Sequence, residues 1–250
     1  MAAPSKSIIE KDTNYGRLIV GGRDQLFVQA LELASAQKAK ASKDIFTWAL
    51  TGGTTPQEWY RWCVSNRSIP DRLLQGVHFT VSDERIVPIH NEQSNFGNAE
   101  RLFFTPLQVP AEQRHAWPVA VLPEEGAATY ASDWRNRVGP KRTYDVCFLG
   151  MGDDGHTASI FPGSPLLTKD GQAFFAAVDV PGKGWRLSIT PKGLSACGLI
   201  VIMILGATKT AMLKRVLTGR HDPLQTPIQI MRAWHERVVW LVDEAAAAGV

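Results

Sequence analysis

The chain is predicted to be an α/β protein with a mostly parallel sheet covered by helices on both faces. Two observations carry that prediction. Short apolar runs of strand length alternate with segments of helical periodicity along the whole sequence, the pattern that builds parallel sheets. The apolar runs ending at Leu50, Ser82, Leu149 and Leu205 are each followed at once by a polar or glycine-rich cluster. In open sheets of this class, ligands gather where the strands end at their carboxyl side.

The elements follow in order. After a polar N-terminal segment, Leu26, Val28, Leu31, Leu33 and Ala34 mark an amphipathic helix over Asp24–Lys40. Asp44–Leu50 reads as a buried strand, Thr51-Gly-Gly-Thr-Thr-Pro56 as a turn, and Gln57–Ser65 as a helix, with Pro56 suited to a first helical position. Val77–Ser82 is a second strand, ending in the charged cluster Asp83-Glu84-Arg85 before Pro88 breaks regular structure. A polar loop, His90–Gly97, leads into a helix over Asn98–Phe104. A short strand is expected near Ala116–Val119, and Glu124–Arg137 reads as a helix with acids at its start.

Tyr144–Leu149 is the next strand, running straight into Gly150-Met-Gly-Asp-Asp-Gly-His-Thr-Ala-Ser-Ile-Phe-Pro-Gly163. Beyond it a strand is expected at Phe174–Val178, a Gly-Lys-Gly turn at Gly182–Gly184, a half-buried strand at Arg186–Thr190 and a short helix from Pro191. The β-branched run Gly198–Leu205 reads as a central parallel strand, and Gly206–Lys209 starts a helix to about Leu217. Val238–Val242 is the last strand, before a short alanine-rich tail. Length, and the lack of a repeat or linker, favour one domain over residues 1–250.

Composition narrows the partners. The net charge of +3 is small and Lys and Arg are scattered, so nucleic acid is not an expected partner. No apolar run approaches bilayer length and Met1–Asn14 has no signal-type core, so no membrane partner and a cytoplasmic location are expected. Cys63, Cys147 and Cys197 are isolated in apolar contexts and read as reduced core residues. No HxH, HExxH or Cys/His spacing supports a metal site, and neither GxGxxG nor a P-loop is present.

His156 is the leading catalytic candidate, since imidazole takes a proton near neutral pH; a histidine merely bonded to the turn backbone is the plain alternative. Gly52, Gly53, Thr54 and Thr55 offer backbone N–H groups and hydroxyls at a helix start, a setting for phosphate or simply a tight turn. Arg85 is either the ion-pair partner of Asp83 or Glu84 or an anchor for an anion. Lys209 stands in a first helical turn, where a cation is disfavoured unless an anion lies near. Arg186 is a site residue or a solvated edge residue. No GxSxG elbow is present and Ser159 has no base beside it, so an activated water is the simpler nucleophile.

Leu50–Pro56, Ser82-Asp-Glu-Arg-Ile-Val-Pro88, Ser94-Asn-Phe96, Gly150–Gly163, Arg186-Leu-Ser-Ile-Thr190 and Gly206-Ala-Thr-Lys209 together resemble the 6-phosphogluconolactonases. That family shares its sheet and similar motifs with the glucosamine-6-phosphate deaminases, whose pattern resembles GxGxDGHIAFNEP. Here Thr-Ala-Ser-Ile-Phe-Pro162 follows His156 and no glutamate stands after it, so the lactonase side is preferred. The resemblance implies a modified Rossmann-like sheet and hydrolysis of 6-phospho-D-glucono-1,5-lactone in the oxidative pentose phosphate pathway, without a cofactor. It implies His156 as general base on water with Asp154 orienting its ring. Gly52, Gly53, Thr54, Thr55, Arg85, Ser94, Asn95, Arg186 and Lys209 become substrate- or phosphate-binding groups. Two rivals remain, an isomerising deaminase and a non-catalytic sugar-phosphate sensor.

Overall fold

The computed structural model describes residues 7–41, 45–168 and 173–250. Asp44, the first residue of an expected strand, lies outside them, as do Met1–Lys6 of the N-terminal segment and residues 169–172. In chain order the strands are β1 (Ile9–Thr13), β2 (Gly16–Gly21), β3 (Phe46–Leu50), β4 (Val77–Val81), β5 (Asp83–Arg85), β6 (Val146–Leu149), β7 (Phe175–Val180), β8 (Gly184–Ile189), β9 (Leu199–Ile204) and β10 (Val238–Asp243). The helices are α1 (Arg23–Lys40), α2 (Thr54–Ser65), α3 (Asp71–Leu74), α4 (Asn95–Ala99), α5 (Pro123–Val138), α6 (Pro191–Ser195) and α7 (Thr210–Thr218).

A seven-stranded sheet runs in the order β1-β2-β10-β9-β6-β3-β4, with every pairing parallel except the β1–β2 edge. All residues of β3 and β6 are buried, as apolar strands must be when both faces of a sheet are covered. The expected mostly parallel α/β architecture is what the chain forms, with β9 central as its β-branched run foretold.

Aromatic rings fill the space between sheet and helices. Trp48 of β3 meets Phe148 edge-on at 5.1 Å, and Trp59 of α2 stacks on Phe103 at 5.4 Å. Each such ring contributes roughly 1.5–3 kcal/mol of burial. In α1 the buried stripe is Leu26, Phe27, Ala30, Leu31 and Ala34, a spacing of one helical turn, while Val28 faces solvent. The sequence reading had placed Val28 on the apolar face in place of Phe27.

A second, antiparallel sheet runs in the order β5-β8-β7. The sequence predicts strands near β7 and β8 and the glycine turn between them, though not their antiparallel pairing, and it does not predict β5: Asp83-Glu84-Arg85 carries no apolar residue and reads as the end of β4. The β1–β2 pair was also missed. β1 is almost wholly exposed, and in β2 the apolar run Leu18-Ile-Val20 is shorter than a strand signal.

The strand expected at Ala116–Val119 does not form. Pro118 has no N–H for a ladder, and Trp117 instead donates its indole N–H to the Val81 carbonyl at 2.8 Å and stacks on Tyr130 at 3.8 Å. The helix expected at Asn98–Phe104 starts earlier, at Asn95, and finishes in a π-helical turn over Glu100–Phe104.

Candidate active site

Neighbouring strands β9, β6 and β3 lead into the turns beginning Gly206, Gly150 and Thr51, while β4 ends at Val81, just before Ser82. Chain order reverses between β6 and β3: β3 continues to β4 on one side, whereas β9 lies beyond β6 on the other. Such a reversal opens a crevice at the carboxyl ends of the strands. A cavity of about 300 Å³ lies there, lined by Gly52, Gly53, Thr54, Thr55, Asp83, Arg85, Asn95, Gly152, His156 and Lys209 among others. A larger concavity, about 1300 Å³, opens where β2, β9 and β10 begin, lined by Arg17, Leu199 and Val238. The end of the sheet, not cavity size, decides between them.

His156 leaves the Gly150 turn with its Nδ1 2.6 Å from the Asp154 carboxylate, which also accepts the His156 backbone N–H at 3.0 Å. One carboxylate oxygen thus fixes ring and backbone together. Burial alone would raise the Asp154 pKa, but these hydrogen bonds and the charge of the imidazole outweigh it and hold the carboxyl below its ordinary value. With Nδ1–H turned to a carboxylate, the lone pair of a neutral imidazole sits on Nε2. Phe161 stacks on the imidazole, with the ring centroids 4.1 Å apart. Gly152 has to be glycine: a Cβ there would lie 2.0 Å from His156 Nδ1.

Gly53 is the residue that turns β3 into α2, with φ +105°, a region few side chains tolerate. The first N–H groups of the 12-residue α2 have no intrahelical acceptors and face an anion-favouring pole. Lys209 reaches the same cavity from the far side, with its Nζ 2.6 Å from Asp153. The anion that makes a cation tolerable in this turn is therefore supplied at least in part by the chain itself.

The period of two in β5 separates three consecutive charges. Glu84 points away from the cavity and its carboxylate accepts from the Arg85, Asn95 and Phe96 backbone N–H groups and from Ser94 Oγ, at 2.7–2.9 Å. Burial raises its pKa in spite of these four donors. Asp83 turns the other way, accepting Ser159 Oγ at 2.7 Å and Ser82 Oγ at 3.1 Å. Neither acid ion-pairs with Arg85, whose guanidinium donates to the Gln93 carbonyl. The simple ion-pair reading of Arg85 is thus replaced.

Ser94 does not line the cavity. Its buried hydroxyl caps α4 by accepting the Gly97 N–H at 2.9 Å and donates to Glu84. Asn95 does line it, with Nδ2 donating both to the Asp83 carbonyl at 2.9 Å and to the Asp83 carboxylate at 3.4 Å, and with Oδ1 buried against Gly52. Having only an acceptor left, Asn95 is unsuited to a phosphate oxygen. Arg186 lies in an adjoining cavity of about 350 Å³, which shares Asp83, Arg85 and His156 with the first and adds Lys183. Asp83, from the charged cluster that follows β4, lines both cavities beside Arg85; Lys183 is a lining residue that sequence reasoning missed, with the Gly-Lys-Gly turn as the available signal. Among the described residues no three His, Cys, Asp or Glu side chains group as metal ligands, and no helix is long and apolar enough to cross a membrane.

A model of the family described as glucosamine-6-phosphate isomerases/6-phosphogluconolactonase matches residues 24–240. The chain belongs to this family. It is 30% identical over 214 residues to a 6-phosphogluconolactonase of Synechocystis, spanning 84% of this chain and 86% of that one. A 6-phosphogluconolactonase of Thermotoga maritima is 30% identical over 208 residues, covering 83% of this chain and 89% of the relative. The solved structure of a 6-phosphogluconolactonase from Leishmania guyanensis superposes with a TM-score of 0.73 at 26% identity, over 100% of this chain and 99% of that one. A monomeric glucosamine-6-phosphate deaminase shares the fold, with a TM-score of 0.76 at 16% identity over 92% of this chain and 98% of its own. These relatives agree with the family that the motifs resemble and with a lactone hydrolase.

Proposed function

We propose that the chain hydrolyses 6-phospho-D-glucono-1,5-lactone to 6-phospho-D-gluconate, with His156 as general base on water. The observation that carries this reading is the Asp154–His156 pair at 2.6 Å on the rim shared by two cavities. Asp154 orients the ring; Nε2 takes a proton from water as its oxygen attacks the C1 carbonyl. The C1–ring oxygen bond then breaks, the imidazolium returns the proton to the leaving oxygen, and the new carboxylic acid ionises to solvent. The Gly52–Thr55 turn and Lys209 hold the 6-phosphate, while Arg85 and Arg186 face the oxyanion that develops at C1. Among the described residues, one buried core running through both sheets supports a single domain.

The lactonase names of the relatives support this over deamination, as does the Thr-Ala-Ser-Ile-Phe-Pro162 continuation. The test is to generate the lactone in situ from glucose 6-phosphate and follow its loss above the spontaneous rate. The wild-type chain accelerates it and His156→Ala does not. No acceleration by wild type, or ammonia release from glucosamine 6-phosphate, overturns the reaction; full rate in the variant overturns the base.

A further inference from the structure

Arg85 and Arg186 are direct cross-strand partners in the β5–β8 pairing, so two guanidinium side chains leave the same face of the small sheet side by side. Like charges directly opposite destabilise a sheet. Both side chains line the second cavity with Lys183, which is carried at the tip of the β7–β8 hairpin, between Gly182 and Gly184, with its Nζ 5.7 Å from the Phe161 ring centroid. The acid facing them there is Asp83, already accepting Ser159 and Ser82; no ion pair joins it to any of the three cations. Burial and then the Arg85 charge hold Arg186 below its ordinary pKa, only partly offset by the charges of Asp83 and Glu84, a cost that a bound anion would relieve further.

The first cavity already has its own cation in Lys209 and the α2 N-terminus. His156 therefore stands between two cationic ends, whereas the lactone carries a single anionic group, its phosphate. Opening the ring creates a second one, because the carbonyl carbon becomes a carboxylate.

We propose that the site is two-ended and takes as its tightest ligands open-chain sugar acids with a phosphate at one end and a carboxylate at the other, the carboxylate lying between Arg85, Arg186 and Lys183. This rests on the proposed reaction for the orientation of the chain. The product belongs to that ligand class, so the enzyme is inhibited by what it makes, and Arg186 and Lys183 set the strength of that inhibition.

The test is calorimetric titration of the full chain with 6-phosphogluconate and with glucitol 6-phosphate, the same chain with CH2OH in place of the carboxylate. Wild type is expected to bind the phosphogluconate about tenfold tighter or more, the scale of a charge-assisted contact. Arg186→Gln should erase most of that preference and leave glucitol 6-phosphate binding unchanged. Lys183→Gln, at a hairpin tip where folding is not at stake, should erase part of it. Equal affinities in wild type, or variants that weaken both ligands by one factor, overturn the proposal. Because binding is read without turnover, a preserved preference in a chain that fails to hydrolyse the lactone would sink the reaction and leave the two-ended site standing.

Discussion

The two sheets contribute to the site in different ways. The parallel sheet delivers its residues at strand ends: backbone N–H groups at Gly52–Thr55, His156 held by Asp154, and Lys209 bonded to Asp153. The antiparallel sheet delivers side chains from within strands, Arg85 from β5 and Arg186 from β8, with no acid ion-paired to either. On the parallel side Lys209 and His156 each have a carboxylate partner on their own chain; on the antiparallel side the two guanidinium groups are held by backbone carbonyls and by no carboxylate. Under the proposed reaction, the first side is the one that binds the ligand's permanent charge and the second the one that meets new charge.

Breaking the parallel side should cost most. His156→Ala removes the proposed base and is expected to lower kcat by about 10²–10⁴-fold, read as loss of lactone above the spontaneous rate. Gly152→Ala leaves the base in place but drives a Cβ into the space of Nδ1. Its expected effect is on the order of 10²-fold in kcat, with circular dichroism unchanged. On the antiparallel side, Glu84→Gln replaces an acceptor of four hydrogen bonds by a group that is half donor. It should cost about 1–3 kcal/mol in urea unfolding and loosen Arg85 with it.

The smallest effect expected is that of pH on the Asp154 turn. Its carboxyl titrates below its ordinary value in the folded chain, so its contribution is complete above that ordinary value, 3.8, and is lost as pH falls through the folded one. The stability gap between wild type and Asp154→Asn should be about 0.5 kcal/mol or less near neutrality, given the solvent around this pair, and should close in acid. A gap that widens in acid would contradict the pairing.

The contrast between the sheets also explains what could be read from the sequence. The parallel strands are apolar and end in glycines, so β3, β6 and β9 and the turns after them were legible, and with them Gly52–Thr55, His156 and Lys209. β5 is three charged residues whose structure depends entirely on a partner about a hundred positions away, a long-range pairing that no local period encodes. Nothing local in that cluster, or in the Gly-Lys-Gly turn that carries Lys183, tells which side chains turn into a cavity, and Ser94, expected on substrate, has its hydroxyl on a helix cap. The Ala116–Val119 segment misled in the opposite sense, since its Trp is buried by stacking and not by a ladder.

The division of labour between the sheets is tested most directly by measuring kcat and KM of Lys209→Gln and Arg186→Gln in one lactone assay. A phosphate anchor acts on ground and transition states alike, so Lys209→Gln should raise KM about tenfold with kcat near wild type. A group that meets only the oxyanion acts on the transition state, so Arg186→Gln should lower kcat by on the order of 10²-fold with KM little changed. The same pattern in both variants, or the two patterns exchanged, would contradict the account.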